Sequence, residues 1–106
     1  MIRVTDDQLA TIRSILKTWV PNTEVRVFGS RADDTARAHS DLDLIIIGSE
    51  KIDRSTLNRL SEAFEDSDLP FRVDVLDWHR ISESFRNTIG RDYERIQSAW
   101  PGETSD

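Results

Sequence analysis

Three aspartates and a Gly-Ser pair are the residues of this chain whose types and spacing could do chemistry. Asp41 and Asp43 stand two apart at the start of "SDLDLIIIG", from Ser40 to Gly48. On a strand, that spacing sends both carboxylates to one face and Leu42 and Leu44 to the other. Like charges held side by side repel, and withdrawing them from water costs several kcal/mol unless a cation sits between them. Asp74, inside "FRVDVLD", offers a third carboxylate if its strand neighbours the first. Three converging carboxylates suit two magnesium ions about 4 Å apart, which clamp the attacking and leaving oxygens of an in-line phosphoryl displacement. Magnesium takes a few carboxylates plus substrate phosphates rather than a full protein cage, so the acids predict a phosphate-bearing ligand. Gly29-Ser30 supplies a matching cradle: a glycine between strand and helix lets the backbone approach phosphate, and the Ser30 hydroxyl adds a hydrogen bond.

The elements that must position these residues follow from periodicity. Thr5 and Gln8 form a capping-box signature, and Leu9, Ile12, Ile15, Leu16 and Trp19 recur at helical spacing until Pro21. Glu24 to Phe28 reads as a strand stopped by Gly29, and Ser30 to Ala38 as a short helical or loop segment. Leu42 to Ile47 is a nearly continuous apolar strand, expected to be covered on both faces in its later half. From Asp53 or Ser55, the residues Leu57, Leu60, Ala63 and Phe64 mark a second helix ending near Ser67. Phe71 to Leu76 reads as a third strand with Asp74 opposite its valines. Ser82 caps a last helix carrying Phe85 and Ile89, closed by Gly90, and Tyr93 to Gln97 is a short edge strand. Helices alternating with strands predict an α+β or α/β sandwich, with helices packed over a small sheet.

At 106 residues the chain suits one domain, 1–106, with "PGETSD" at 101–106 as a flexible tail. The longest apolar run falls far short of the ~20 residues of a membrane-spanning helix, and "MIRVTDDQLA" lacks the character of a secretory signal, so no membrane association and a cytoplasmic location are expected. With no cysteine, the available metal ligands are carboxylates, His39 and His79, which favours a hard ion. A net charge of −6 argues against broad nucleic-acid binding.

Gly29-Ser30-Arg31-Ala32, then Ser40-Asp41-Leu42-Asp43-Leu44, then Val73-Asp74-Val75 resemble the minimal nucleotidyltransferases of the DNA polymerase beta superfamily, over essentially the whole chain. The resemblance implies a nucleotidyltransferase fold, a small mixed sheet flanked by helices, with two magnesium ions on Asp41, Asp43 and Asp74. It implies transfer of a nucleoside monophosphate, AMP from ATP being the expected case, to a hydroxyl. In the roles it suggests, Asp74 helps deprotonate the acceptor, and Gly29, Ser30 and Arg31 bind the nucleotide. "SDLPFRVDVLDW" looks closer still to a bacterial subgroup paired with a small helical partner of the HEPN type, which implies an antitoxin-like role in a hetero-oligomer. Many members have a glycine where this chain carries Asp33-Asp34. Two alternatives stay open: the catalytic subunit of a split small-molecule nucleotidyltransferase, and an antitoxin that acts by binding alone.

Plainer roles compete with the chemical ones. Asp41 and Asp43 could face water at a strand start, Asp74 could pair with Arg72 or Arg26, and Arg31 could pair with Asp33 or Asp34. His39 and His79 lack ligand spacing and read as surface or helix-end residues. Asp77 reads as a turn or cap residue. Trp19 and Trp78 read as packing residues, and Trp100 as either packing or part of a partner interface.

Overall fold

The computed structural model describes residues 4–29, 40–90 and 93–99. Helix α1, Asp6–Trp19, begins at the capping box: the Gln8 N–H donates to Thr5 Oγ1 at 3.1 Å, and the Thr5 N–H donates to Gln8 Oε1 at 2.9 Å. Asp6 and Asp7 in its first turn and Lys17 in its last complement the helix dipole. Strands β1 (Glu24–Phe28) and β2 (Leu42–Ile47) follow, then helix α2 (Arg54–Glu65) and strand β3 (Val73–Asp77). A 3-10 turn at Trp78–Arg80 leads to helix α3 (Glu83–Ile89), which the Ser82 hydroxyl caps by accepting from the Phe85 N–H, and to strand β4 (Tyr93–Gln97).

The sheet order is β3-β2-β1-β4. Strand β1 runs antiparallel to both β2 and β4, while β2 and β3 are parallel and joined through α2. Among the described residues the architecture is therefore α+β, a mixed four-stranded sheet flanked by three helices.

One face of the sheet holds the main core. Val25, Val27, Leu42, Leu44, Ile46 and Ile96 bury against Ile12 and Leu16 of α1 and Leu60 and Phe64 of α2, with Val73 and Val75 packed at its margin. Ile45 and Ile89 are equally buried but stand apart from that cluster. Phe28 and Phe85 meet edge to face at 5.9 Å, which lays α3 over the second face. The middle of β2 is thus covered on both sides, as its unbroken Leu-Ile run requires.

Three boundaries differ from the sequence expectation, the simplest being the end of β3, which runs one residue past Leu76 to Asp77. Strand β3 begins at Val73, not Phe71: Phe71 turns into the core before the ladder starts, although the Arg72 carbonyl still accepts from the Leu42 N–H at 2.8 Å. Helix α2 stops at Glu65, short of Ser67, whose N–H and hydroxyl both return to the Phe64 carbonyl and close the turn. The expected 30–38 segment, Trp100 and the 101–106 tail lie outside the described residues.

Candidate functional site

The site is built where the first residues of two parallel strands meet a tight turn. Strand β2 carries Asp43, and Asp41 lies just before it, two residues upstream. The parallel register sets Asp43 beside Asp74, and the antiparallel register on the other side sets it beside Phe28. Register partners share a face, so Asp74, Asp43 and Phe28 form one row on the face opposite the main core. That face is the one the Asp41–Asp43 spacing assigns to the carboxylates.

Gly29 follows Phe28 directly and brings the backbone against this row. Its φ of +78° is a left-handed conformation that favours glycine, and a Cβ placed there would lie 2.5 Å from Asp43 Oδ2. Any side chain at position 29 would displace the carboxylate.

The electrostatics are those of crowded acids. Burial, then the negative charges of Asp74 and Asp41, push Asp43 above its ordinary value of 3.8. Asp74 is held by Arg72, whose Nε lies 2.8 Å from Asp74 Oδ1 and whose side chain is 75% exposed. Arg26 is engaged elsewhere, paired with Glu24 and stacked 4.1 Å from the centre of the Tyr93 ring. Among the described residues, no three Asp, Glu or His side chains are gathered tightly enough to hold a metal ion by themselves. An all-oxygen donor set in which the half-buried Asp43 carboxylate faces the negative charges of Asp74 and Asp41 nonetheless fits magnesium, which completes its shell with substrate phosphates. Ser30 and Arg31, expected to bind nucleotide, lie outside the described residues, as do Asp33, Asp34 and His39.

Sequence reasoning found Asp77 as a cap but missed its larger role. Its side chain is fully buried and receives three donors: the Ile52 N–H at 2.8 Å, the His79 N–H at 3.0 Å and Arg80 Nε at 3.2 Å. Arg80 also donates to the Ile52 carbonyl at 2.9 Å, and His79 Nε2 donates to the Gly48 carbonyl at 2.7 Å. Together these tie the segment after β2 to the end of β3. The run "DWHR" directly after an apolar strand was the available signal.

The chain is similar to several known proteins. Residues 10–99 match the family model described as polymerase beta, nucleotidyltransferase. The chain is 47% identical over 94 residues to the probable protein adenylyltransferase MntA of Haemophilus influenzae, covering 89% of this chain and 82% of that protein. Among solved structures, a toxin-antitoxin complex with AMP-PNP aligns with a TM-score of 0.73 at 20% identity, covering 85% of this chain and 73% of that one. A tri-AMPylated Shewanella oneidensis HEPN toxin in complex with MNT antitoxin aligns at 0.61 and 18% identity, covering 85% and 69%. At such identities the structural likeness is one of fold.

Proposed function

Because the chain belongs to the polymerase beta nucleotidyltransferase family, we propose that it transfers AMP from ATP to a hydroxyl of a small HEPN-type partner protein, and so serves as the antitoxin of the pair. The adenylyltransferase name of the Haemophilus influenzae relative supports the choice of nucleotide. Two fold neighbours, a toxin-antitoxin with AMP-PNP and an AMPylated HEPN toxin in complex with MNT antitoxin, support the partner.

The observation that carries the reading is the row in which Asp74 stands beside Asp43, with Gly29 packed against the Asp43 carboxylate. Asp41, Asp43 and Asp74 would hold two magnesium ions, which neutralise the triphosphate and its developing charge. The acceptor oxygen forms a bond to the α-phosphorus, and the bond from that phosphorus to the β-bridging oxygen breaks. Pyrophosphate leaves with the bonding pair. Asp74, at the outer end of the row, takes the hydroxyl proton, and the Gly29 turn, with Ser30 and Arg31 after it, positions the triphosphate. Holding these groups in line accounts for most of the catalysis.

The test is to incubate the protein with magnesium, labelled ATP and its HEPN partner and to weigh the intact partner. Adenylyl groups should appear on the partner with the wild-type chain and disappear with Asp41→Asn plus Asp43→Asn. No transfer and no nucleotide binding by the wild-type chain would overturn the reading.

A further inference from the structure

Strand β3 ends the sheet, and its outer edge lies beside Asp74. Backbone alternation divides its polar groups. The Leu42 N–H donates to the Arg72 carbonyl, so Arg72, Asp74 and Leu76 turn their backbone groups toward β2, while Val73 and Val75 turn theirs outward. Among the described residues, no backbone group outside the ladder meets Val73 or Val75. A groove of about 540 Å³ follows this edge, with Phe64, Leu69 and Val75 on its apolar side and Glu65, Arg72 and Asp74 on its polar side.

Unused edges are blunted by lysine, proline, other charges or bulges. Strand "VDVLD" has no lysine, proline or bulge, its pairing with β2 runs without a shift in register, and the charge it does carry beside the groove, Asp74, is one that a basic segment would neutralise. The opposite edge differs, since the β1–β4 ladder is broken by an irregularity at Val25/Arg26.

We propose that the β3 edge takes up an extended, basic segment of the acceptor protein as a fifth, antiparallel strand and so delivers the acceptor hydroxyl to Asp74. This rests on the nucleotidyl-transfer reading. Since Asp74 turns its backbone inward, a residue opposite it on an added antiparallel strand occupies a non-hydrogen-bonded position. There Cα atoms are about 4.5 Å apart and side chains are closest. That residue also shares the face of Asp74 and Asp43, so its hydroxyl meets the carboxylate that accepts its proton. Val73 and Val75 supply the main-chain hydrogen bonds, the mode by which exposed edges bind peptides. Charge selects the segment: "EDSD" closes α2 beside the groove, Asp41 and Asp43 lie at the adjoining end, and the chain carries −6. Lysines or arginines flanking the hydroxyl residue complement that field.

The probe is the capped peptide Lys-Lys-Val-Tyr-Val-Lys-Lys, whose valines would face the groove and whose tyrosine would face Asp74. Added to 15N-labelled protein, it should shift the amide signals of Val73 and Val75 and slow their hydrogen exchange severalfold. The same peptide N-methylated at both valines keeps its charge and side chains but loses the two N–H donors to the Val73 and Val75 carbonyls and sets methyl groups against the edge, and it should bind about tenfold more weakly or worse. A version with glutamate for every lysine should not bind. The proposal is overturned if β3 amides do not respond at millimolar peptide, or if either altered peptide binds as well as the parent. Adding magnesium, ATP and the HEPN partner separates the two claims: edge binding by the peptide with neither nucleotide binding nor adenylyl transfer to the partner would remove the transfer reading and leave strand addition, whereas transfer to the partner with an unresponsive edge would do the reverse.

Discussion

Gly29→Ala would strike the site through the backbone, without touching any charge. At a φ of +78° an L-residue is disfavoured by about 1–2 kcal/mol. The added Cβ would lie 2.5 Å from Asp43 Oδ2, so the carboxylate must leave its rotamer, at a cost of about 0.5–1.5 kcal/mol. The sum is roughly 1.5–3.5 kcal/mol, within the ~5–15 kcal/mol of a typical domain. The variant should therefore fold and melt roughly 6–28 °C lower. Its functional loss should be larger in proportion, because the atom that moves is a proposed ligand oxygen. Wild type should gain about 2.7 kcal/mol from magnesium-ATP at a hundredfold excess over the dissociation constant. The variant should gain almost nothing, and transfer should fall about 100-fold, as expected for a misplacement near 1 Å. Thermal melts with and without magnesium-ATP, together with intact mass of the acceptor, measure both effects. A variant that melts lower yet keeps the full ligand response and transfer would refute the link between Gly29 and Asp43. An unchanged melt would refute the backbone argument itself.

Asp41→Asn combined with Asp43→Asn should melt higher than wild type without metal, since it removes mutual repulsion, and should ignore magnesium-ATP in the same assay. Asp43 also sets a pH dependence. Its folded value lies above 3.8, so between the two values the folded chain holds more protons than the unfolded one. Metal-free stability should then fall as pH rises through that window, and urea midpoints of Asp43→Asn should show a flatter slope. Asp77→Ala would leave the half-buried Ile52 and His79 N–H groups without their acceptor. It should lose about 2–5 kcal/mol in urea unfolding, and its folded fraction should bind magnesium-ATP more weakly than wild type, because the tie that holds β3 in register is gone. Arg72→Ala, removing a largely exposed partner of Asp74, should change stability by less than about 1 kcal/mol.

Where local physics decides the outcome, the sequence was legible. The Thr5–Gln8 capping box, the stop before Pro21, and strands β1, β2 and β4 all follow from short-range patterns, and the structure has them at the expected residues. The carboxylate row was legible in part, because a spacing of two fixes the shared face of Asp41 and Asp43. That Asp74 stands beside Asp43 required the parallel register, a relation between segments 31 positions apart that no periodicity encodes. The same limit explains Asp77. Its bond to His79 is local and readable as a cap, but its bond to Ile52 spans 25 positions. Phe71 misled for a related reason, since its hydrophobicity serves the core ahead of the ladder rather than the ladder itself.

The Asp77 clamp bears on how the site survives mutation. Parallel strands have no hairpin between them to set their alignment, and a slip of one residue would turn Asp74 toward the helices and Val73 or Val75 toward the acids. By fastening Ile52 and Gly48 to the tail of β3, Asp77, His79 and Arg80 act as a stop that fixes the alignment from the end remote from Asp43. Lineages of this protein should then tolerate drift in the exposed residues of α2 while keeping that stop, since its loss would unseat the acids without altering any of them.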